Sequence, residues 1–308
     1  MSVRALGAQL RSAGLSPRAL ASWVGTDRIA ALPAVLPAQV TREPVPAAVA
    51  LTLFVAGVPL AMDRVQKNLP VDALLHAKLL ATHGNDVYAP AAILPLGPSL
   101  MVCDRLDVPD AVDRVSWPDD SSHHLVGAIP PTKRRKRWLD LGCGSAFAQL
   151  ALPNLADVML AIDINPRAVA YARQGALLSG VDRLEARHVG VDTIDGARAD
   201  LVTCNAPLPD AAALAVWRRA DPGFFGLLWP AIRRNLNEGG EAILHVARHT
   251  IPADLPGERV IVGYAPDLCV LWWRPDAPEL IATLDRPLTP DRPHVDLEDR
   301  DDALDRAG

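Results

Sequence analysis

The stretch "RWLDLGCGSA", residues 137–146, joins a strand-like apolar run to a turn with glycines at 142 and 144. Glycine lets a backbone turn tightly and approach a ligand where a Cβ would collide. The following "FAQLALP" can open a helix whose first N–H groups face an anionic group. Alone, an Asp-x-Gly-x-Gly turn reads equally well as a plain strand-to-helix corner. Its context narrows the choice. About twenty residues on, "AIDINPRA" sets Asp163 at the end of a second strand, with Asn165 as a helix N-cap and Pro166 at the first helical position.

Working outward, candidate strands are "RWLDLGC", "DVMLAIDI", "LEARHVG", "ADLVTCN", "GEAILHVA", "ERVIVGY" and "LCVLWWR". Helical segments such as "PRAVAYARQGALLSG" and "GFFGLLWPAIRRNLNEGG" lie between them. Strands that are apolar nearly throughout and alternate with helices imply an α/β fold, a parallel sheet covered on both faces. In such doubly wound sheets a carboxylate at a strand end, here Asp163, grips vicinal ribose hydroxyls in the crevice beyond the strands.

Residues 1–130 read differently. Leu6 and Leu10 repeat at helical spacing, and "LSPRALASWVG" carries Ser16 as N-cap and Pro17 behind it. The apolar run "AAVALTLFVAGVPLAM", 47–62, is shorter than the ~18 residues of a membrane span and is interrupted by Gly57 and Pro59, so a buried helix is expected. "PVDALLHAKLL" (70–80) predicts another helix, and "DVYAPAAILPLGPSLMVCDR" a hairpin or wing. Helices followed by a small β-wing resemble a winged-helix accessory module, which can bind nucleic acid, dock on a partner domain or position a substrate. "TKRRKRW", 132–138, is the one dense basic run; it reads as a phosphate-binding patch or as a solvated connector, and the absence of interleaved aromatics favours the connector.

The four cysteines, Cys103, Cys143, Cys204 and Cys269, form no CxxC pair and no metal-ligand spacing, so no metal is expected and the thiols suit a cytoplasmic protein. The N-terminus carries no pattern of a secretory signal. From Asp285 onward eight acids face four arginines, a net of −4 out of −5 for the chain, which leaves the body nearly neutral and gives no general case for nucleic acid. This acidic end, 285–308, is expected to be a flexible tail or an extension hugging the surface.

Together, "LDLGCGSA", "AIDINPRAVAYARQGALLSGV" and "ADLVTCNAPLP" resemble the successive motifs of class I S-adenosylmethionine-dependent methyltransferases. Their order and spacing are similar to the branch that includes release-factor glutamine and ribosomal-RNA guanine-N2 methyltransferases, over about residues 120–275. The resemblance implies a Rossmann-like, seven-stranded sheet at 131–284 behind the N-terminal module, and S-adenosyl-L-methionine as cofactor. It also implies that Asp140, Gly142 and Gly144 surround the methionine part of the cofactor and that Asp163 holds the ribose. Cys143 and Ile164 join the cofactor-binding set. Asp192, in "RHVGVDTIDG", stands two residues downstream of the usual adenine-side acid. A nicotinamide dinucleotide fits worse, since Phe147 occupies the third glycine of that fingerprint. Ala146 stands where many of these methyltransferases have a third glycine.

In the same family an Asn-Pro-Pro-aromatic motif follows the fourth strand; here it is "NAPL", 205–208. The resemblance gives Asn205 the side-chain oxygen and Ala206 the carbonyl that accept two N–H bonds of an acceptor nitrogen, with Asn205 also beside the cofactor and Pro207 stiffening the turn. Catalysis is then mostly positioning. Leu208 replaces the aromatic residue, removing a stacking contact worth ~1–3 kcal/mol in base-binding sites. No strong general base is evident: His123 and His124 are candidates, while His188, His245 and His249 are expected at strand ends without a catalytic role. Phe224 and Phe225 could partly replace the missing stacker. The expected activity is methyl transfer to a nitrogen of a protein or RNA. The alternatives are a small-molecule or peptide-tailoring N- or O-methyltransferase, and a degenerate methyltransferase fold that only binds.

Overall fold

The computed structural model describes residues 1–26, 29–40, 48–209, 219–221 and 223–307. Helices α1 (Val3–Ser12) and α2 (Pro17–Val24) open on serine caps, Ser2 and Ser16, whose hydroxyls accept the Ala5 and Ala19 N–H groups at 3.2 and 3.3 Å. After α3 (Leu32–Val40) the apolar run does not continue as one helix. Its first residue lies outside the described ones. Helix α4 (Ala48–Phe54) stops, Gly57 turns the chain at φ +70°, and β1 (Leu60–Ala61) and α5 (Met62–Gln66) follow. The reason is local: Gly57 takes a left-handed conformation and Pro59 offers no N–H to extend a helix. Helix α6 (Val71–His76) is followed by β2 (Ala81–His83) and β3 (Asp86–Tyr88), which form a three-stranded antiparallel sheet in the order β1-β3-β2. The expected hairpin is present as β4 (Ala92–Leu96) and β5 (Ser99–Cys103).

Then come α7 (Asp120–Gly127), β6 (Arg135–Leu141), α8 (Phe147–Ala151), β7 (Ala156–Asp163), α9 (Pro166–Ser179), β8 (Leu184–His188) and β9 (Ala199–Asn205). They are followed by α10 (Phe224–Asn235), β10 (Leu236–Ala247), β11 (Glu258–Gly263), β12 (Leu268–Arg274), β13 (Leu280–Asp285) and α11 (Leu297–Ala307). The central sheet has eight strands rather than seven, in the order β13-β11-β12-β10-β9-β6-β7-β8. Strands β6 to β10 run parallel; β12 is antiparallel to both its neighbours and β13 parallel to β11. The additional strand is β13, at the sheet edge. Its burial alternates and Ile281 is exposed, so it lacks the continuous apolar run of a central strand.

Both faces of the sheet are covered, as the pleat of β6 makes plain: Trp138 enters one hydrophobic cluster, Leu139 and Leu141 the other. The first of these clusters also contains Leu6 and Leu10 of α1 together with Val169 and Ala172 of α9. The N-terminal helices and the sheet's helical layer therefore share a core. Contact is close: a Cβ on Gly7 would lie 1.9 Å from the Leu178 carbonyl oxygen. Arg11 Nη1 donates to the same oxygen at 3.2 Å.

The acidic end takes the surface-hugging of its two expected forms. Helix α11 packs on β13 and β11, and Val295 just before it is fully buried. Asp299, buried, receives Arg286 at 2.9 Å and Arg292 at 3.1 Å, which offsets much of the local acidity. Among the described residues no helix is long and apolar enough to cross a membrane.

Candidate functional site

The carboxyl ends of β6, β7, β9 and β10 meet at one rim of the sheet. Beyond β6 the chain turns through Gly142 (φ +67°) and Gly144 (φ +52°), conformations open to glycine at little cost. A Cβ at either position meets nothing within 4 Å, so both glycines border open space. Cys143 between them is tied back by its N–H to the Ile162 carbonyl at 2.9 Å. Burial pushes its thiol well above the usual range, which makes it an inert wall. Ala146 takes the left-handed region at φ +59°, at the position where a third glycine is common in the resembling family. Helix α8 forms as expected but is only five residues long.

Asp163 closes β7 against this loop. Its Oδ2 accepts the Gly144 N–H and its Oδ1 the Asn165 N–H, both at 2.8 Å. Burial raises its pKa, opposed by those two backbone donors. Asn165 caps α9 as expected, accepting the Arg167 N–H at 2.9 Å, and its Nδ2 donates to the Asp113 carbonyl at 2.8 Å. Ile164, between the two, is 61% exposed. Asp140 lies deeper, on β6, and accepts the Thr203 hydroxyl at 2.6 Å; Trp138 Nε1 donates to that hydroxyl at 2.8 Å. Burial pushes the Asp140 carboxyl up to about 7, the Thr203 bond acting the other way. Ser145 Oγ is buried and has no hydrogen-bond partner among the described residues. An orphaned hydroxyl beside two open glycines and two carboxylates is a set that a polar ligand would satisfy.

The remaining candidates fall on the same edge. Asp192 is exposed on the turn after β8, where the Ile194 N–H closes onto the Gly190 carbonyl at 3.1 Å; β8 is joined to Asp163 by the Val189 N–H. Asn205 ends β9 in register with His245, and the Ala206 N–H donates to the His245 carbonyl at 3.0 Å. Pro207 and Leu208 are half-buried. The Leu208 carbonyl accepts the Ala220 N–H at 2.8 Å, and Leu208 bridges to Arg219. Phe224 and Phe225 meet edge-to-face at 5.2 Å where α10 begins.

The histidines contact several elements around the rim. His124 is fully buried, its Nδ1 accepts the Val295 N–H at 2.8 Å, and burial followed by neighbouring His245 and His294 pushes it down to about 3. His245 is pushed down to about 4 by burial and pairs through Nε2 with the Tyr264 hydroxyl at 2.6 Å. His123 sits 5.1 Å from the rings of Phe147 and His294. His188 and His249 contact the Ile164 carbonyl and Asp267.

Sequence reasoning missed Ser121. Asn205 Nδ2 donates to Ser121 Oγ at 2.8 Å and reaches Ser122 Oγ at 3.4 Å, across 84 residues of chain. No local pattern encodes that contact; only the proximity of "DDSSHH" to the cofactor loop hinted at it. In the basic run Lys133 and Arg135 pair with Glu241, Arg134 with Asp157, and the Lys136 and Arg137 N–H groups with Asp200. It begins β6 at the end opposite the rim.

Residues 132–259 match the family model described as a methyltransferase domain. A ribosomal protein L11 methyltransferase of Salmonella arizonae is 30% identical over 148 residues, 42% of this chain and 50% of that protein. Its counterpart in an Enterobacter species is 31% identical over 151 residues, 44% and 51% of the two chains. The chain thus spans about half the length of the curated relatives it matches. A solved ribosomal protein L11 methylase from Lactobacillus delbrueckii subsp. bulgaricus aligns at 20% identity over 50% of this chain and 76% of that one, with a TM-score of 0.39.

Proposed function

We propose, from the match of residues 132–259 to a methyltransferase domain, that this chain transfers the methyl group of S-adenosyl-L-methionine to an acceptor nitrogen. The observation that carries this reading is the Gly144 N–H bond to Asp163 at 2.8 Å, which joins the glycine turn to the second strand end on the rim where Asn205 also stands. When bound, the cofactor supplies a methyl already activated on a sulfonium. The residues then have to bind and aim.

In this reading Gly142 and Gly144 leave room for the methionine part, Ser145 and Asp140 offer it polar partners, and Cys143 walls it. Asp163 retains lone pairs for ribose hydroxyls, Ile164 offers an exposed apolar surface to the adenine, and Asp192 faces its edge. Asn205 Oδ1 accepts an N–H of the acceptor, Ala206 supplies a second carbonyl, and Pro207 with Leu208 shapes the wall. The L11 methyltransferases it resembles, by name, modify a ribosomal protein, which supports a protein or RNA nitrogen. Leu208, aliphatic where stacking would suit a base, favours a second reading: a small, non-planar acceptor. Four buried free thiols support a reducing, cytoplasmic setting.

The test is calorimetric titration of the full chain with S-adenosylmethionine, then transfer of a tritiated methyl to separated protein, RNA and small-molecule fractions of a cell extract. Binding and labelling of protein or RNA support the main reading, and labelling of small molecules alone the second. Absence of binding at saturating cofactor leaves a fold that only binds other partners. Asn205→Ala is expected to abolish transfer while cofactor affinity is retained.

A further inference from the structure

Asn205 presents its amide to the first turn of α7. The Ser121 hydroxyl it meets donates its own hydrogen to Oδ1 of Asp119, the residue that caps α7 by accepting the Ser122 N–H at 3.3 Å. A hydroxyl has one hydrogen and two lone pairs, so Ser121, committed to Asp119, can only accept from Asn205. The amide therefore meets Ser121 with its NH₂ end, at 2.8 Å, and turns Oδ1 away from α7. A flipped amide would set two oxygens against each other with no hydrogen between them.

Resting on the reading of Asn205 as the residue that grips the acceptor, we propose that Asp119 and Ser121 are positioning residues which lock the Asn205 amide with its oxygen outward, restricting the acceptor to a nitrogen that still carries a hydrogen. A primary or secondary amine, or an amide, satisfies that oxygen; a carboxylate or a tertiary amine sets a lone pair against it. The relay also strengthens itself, because the bond from Ser121 to Asp119 polarises the hydroxyl and, through it, the amide. The platform does not depend on Asn205 for its place. Trp272 Nε1 donates to the Ala128 carbonyl at 2.8 Å at the end of α7, and His124 within the helix accepts from Val295. The serine is thus held ready before any acceptor arrives.

The test uses the full chain and the variants Ser121→Ala and Ser121→Thr, with Asn205→Ala to identify the Asn205 side-chain amide signals by NMR. Ser121→Ala is expected to shift those signals and speed their hydrogen exchange. It should slow methyl transfer to the labelled extract fraction about tenfold while S-adenosylmethionine affinity stays within about twofold. Ser121→Thr, which keeps a hydroxyl, is expected to restore both the signals and the rate. Unchanged amide signals in Ser121→Ala, or equal loss in the Ala and Thr variants, overturn the proposal. A wild type that binds no cofactor overturns the underlying activity instead, while the amide signals still decide the orientation of Asn205.

Discussion

Val295 donates its backbone N–H to Nδ1 of His124 at 2.8 Å, joining the chain's last segment to the helix that braces Asn205. The bond is fully buried, and the Arg286–Asp299 ion pair lies in the same segment. Deleting residues 287–308 removes the Val295 donor and leaves Arg286 without Asp299. We expect a loss of about 3 kcal/mol or more, measured by urea unfolding, since breaking a buried pair strands a charge. A truncated chain with wild-type stability would show the extension to be dispensable.

Acid should loosen the same region. His124 and His245 take a proton near 6.5 when unfolded but only near 3 and 4 when folded, because burial disfavours the charged ring. Above about 6.5 both states hold the rings neutral and their stability is fully present. As pH falls below that, the unfolded chain binds protons the folded one refuses, and stability drops until the folded values are reached. The melting temperature is expected to fall between pH 6.5 and 4. His124→Asn, which keeps an acceptor for Val295, should flatten that slope; an identical slope in the variant would assign the acid sensitivity elsewhere.

Asp140 carries the opposite sign. Its folded pKa of about 7 lies above the usual carboxylate value, so its favourable contribution exists at low pH and is lost as pH rises through about 7. Asp140→Asn keeps an oxygen for the Thr203 hydroxyl and removes the buried charge. The variant should melt higher than wild type at pH 8, with a gain that shrinks as pH falls toward 4, yet bind S-adenosylmethionine about tenfold more weakly or worse. Unaltered affinity would remove Asp140 from the cofactor site.

Ala146 holds a left-handed backbone, costing roughly 1–2 kcal/mol for a residue with a Cβ. Glycine relieves that strain but gains about 0.4–1 kcal/mol of freedom in the unfolded chain. Ala146→Gly is therefore expected to stabilise the protein by up to about 1 kcal/mol in urea titration, with cofactor affinity unchanged. Destabilisation would mean that the methyl group's packing outweighs the strain.

Much of the eight-stranded sheet was legible because its signals are local. Strands β6, β7 and β9 are apolar runs ending in Leu141 just before Gly142, in Asp163 and in Asn205, and the spacing of those ends reflects strand–helix alternation. Other features depend on partners distant in sequence. The edge strand β13 buries only one side and so lacks an apolar run. The acidic end reads as either a flexible tail or a surface extension until Arg286 and Arg292 are seen against Asp299. Ser121 could be found only once packing had brought α7 to the end of β9.

The contact between α1 and α9 bears on how the chain is made. Arg11 reaches the Leu178 carbonyl across 167 residues, and Leu6 and Leu10 are buried with α9 residues. During synthesis the first helix leaves the ribosome more than half a chain length ahead of the surface that will cover it. Until then the part of its apolar face that α9 covers has no native partner. Pulse-labelled nascent chains halted before residue 166 should accordingly be captured by hydrophobic-binding chaperones, and release should follow once α9 has emerged.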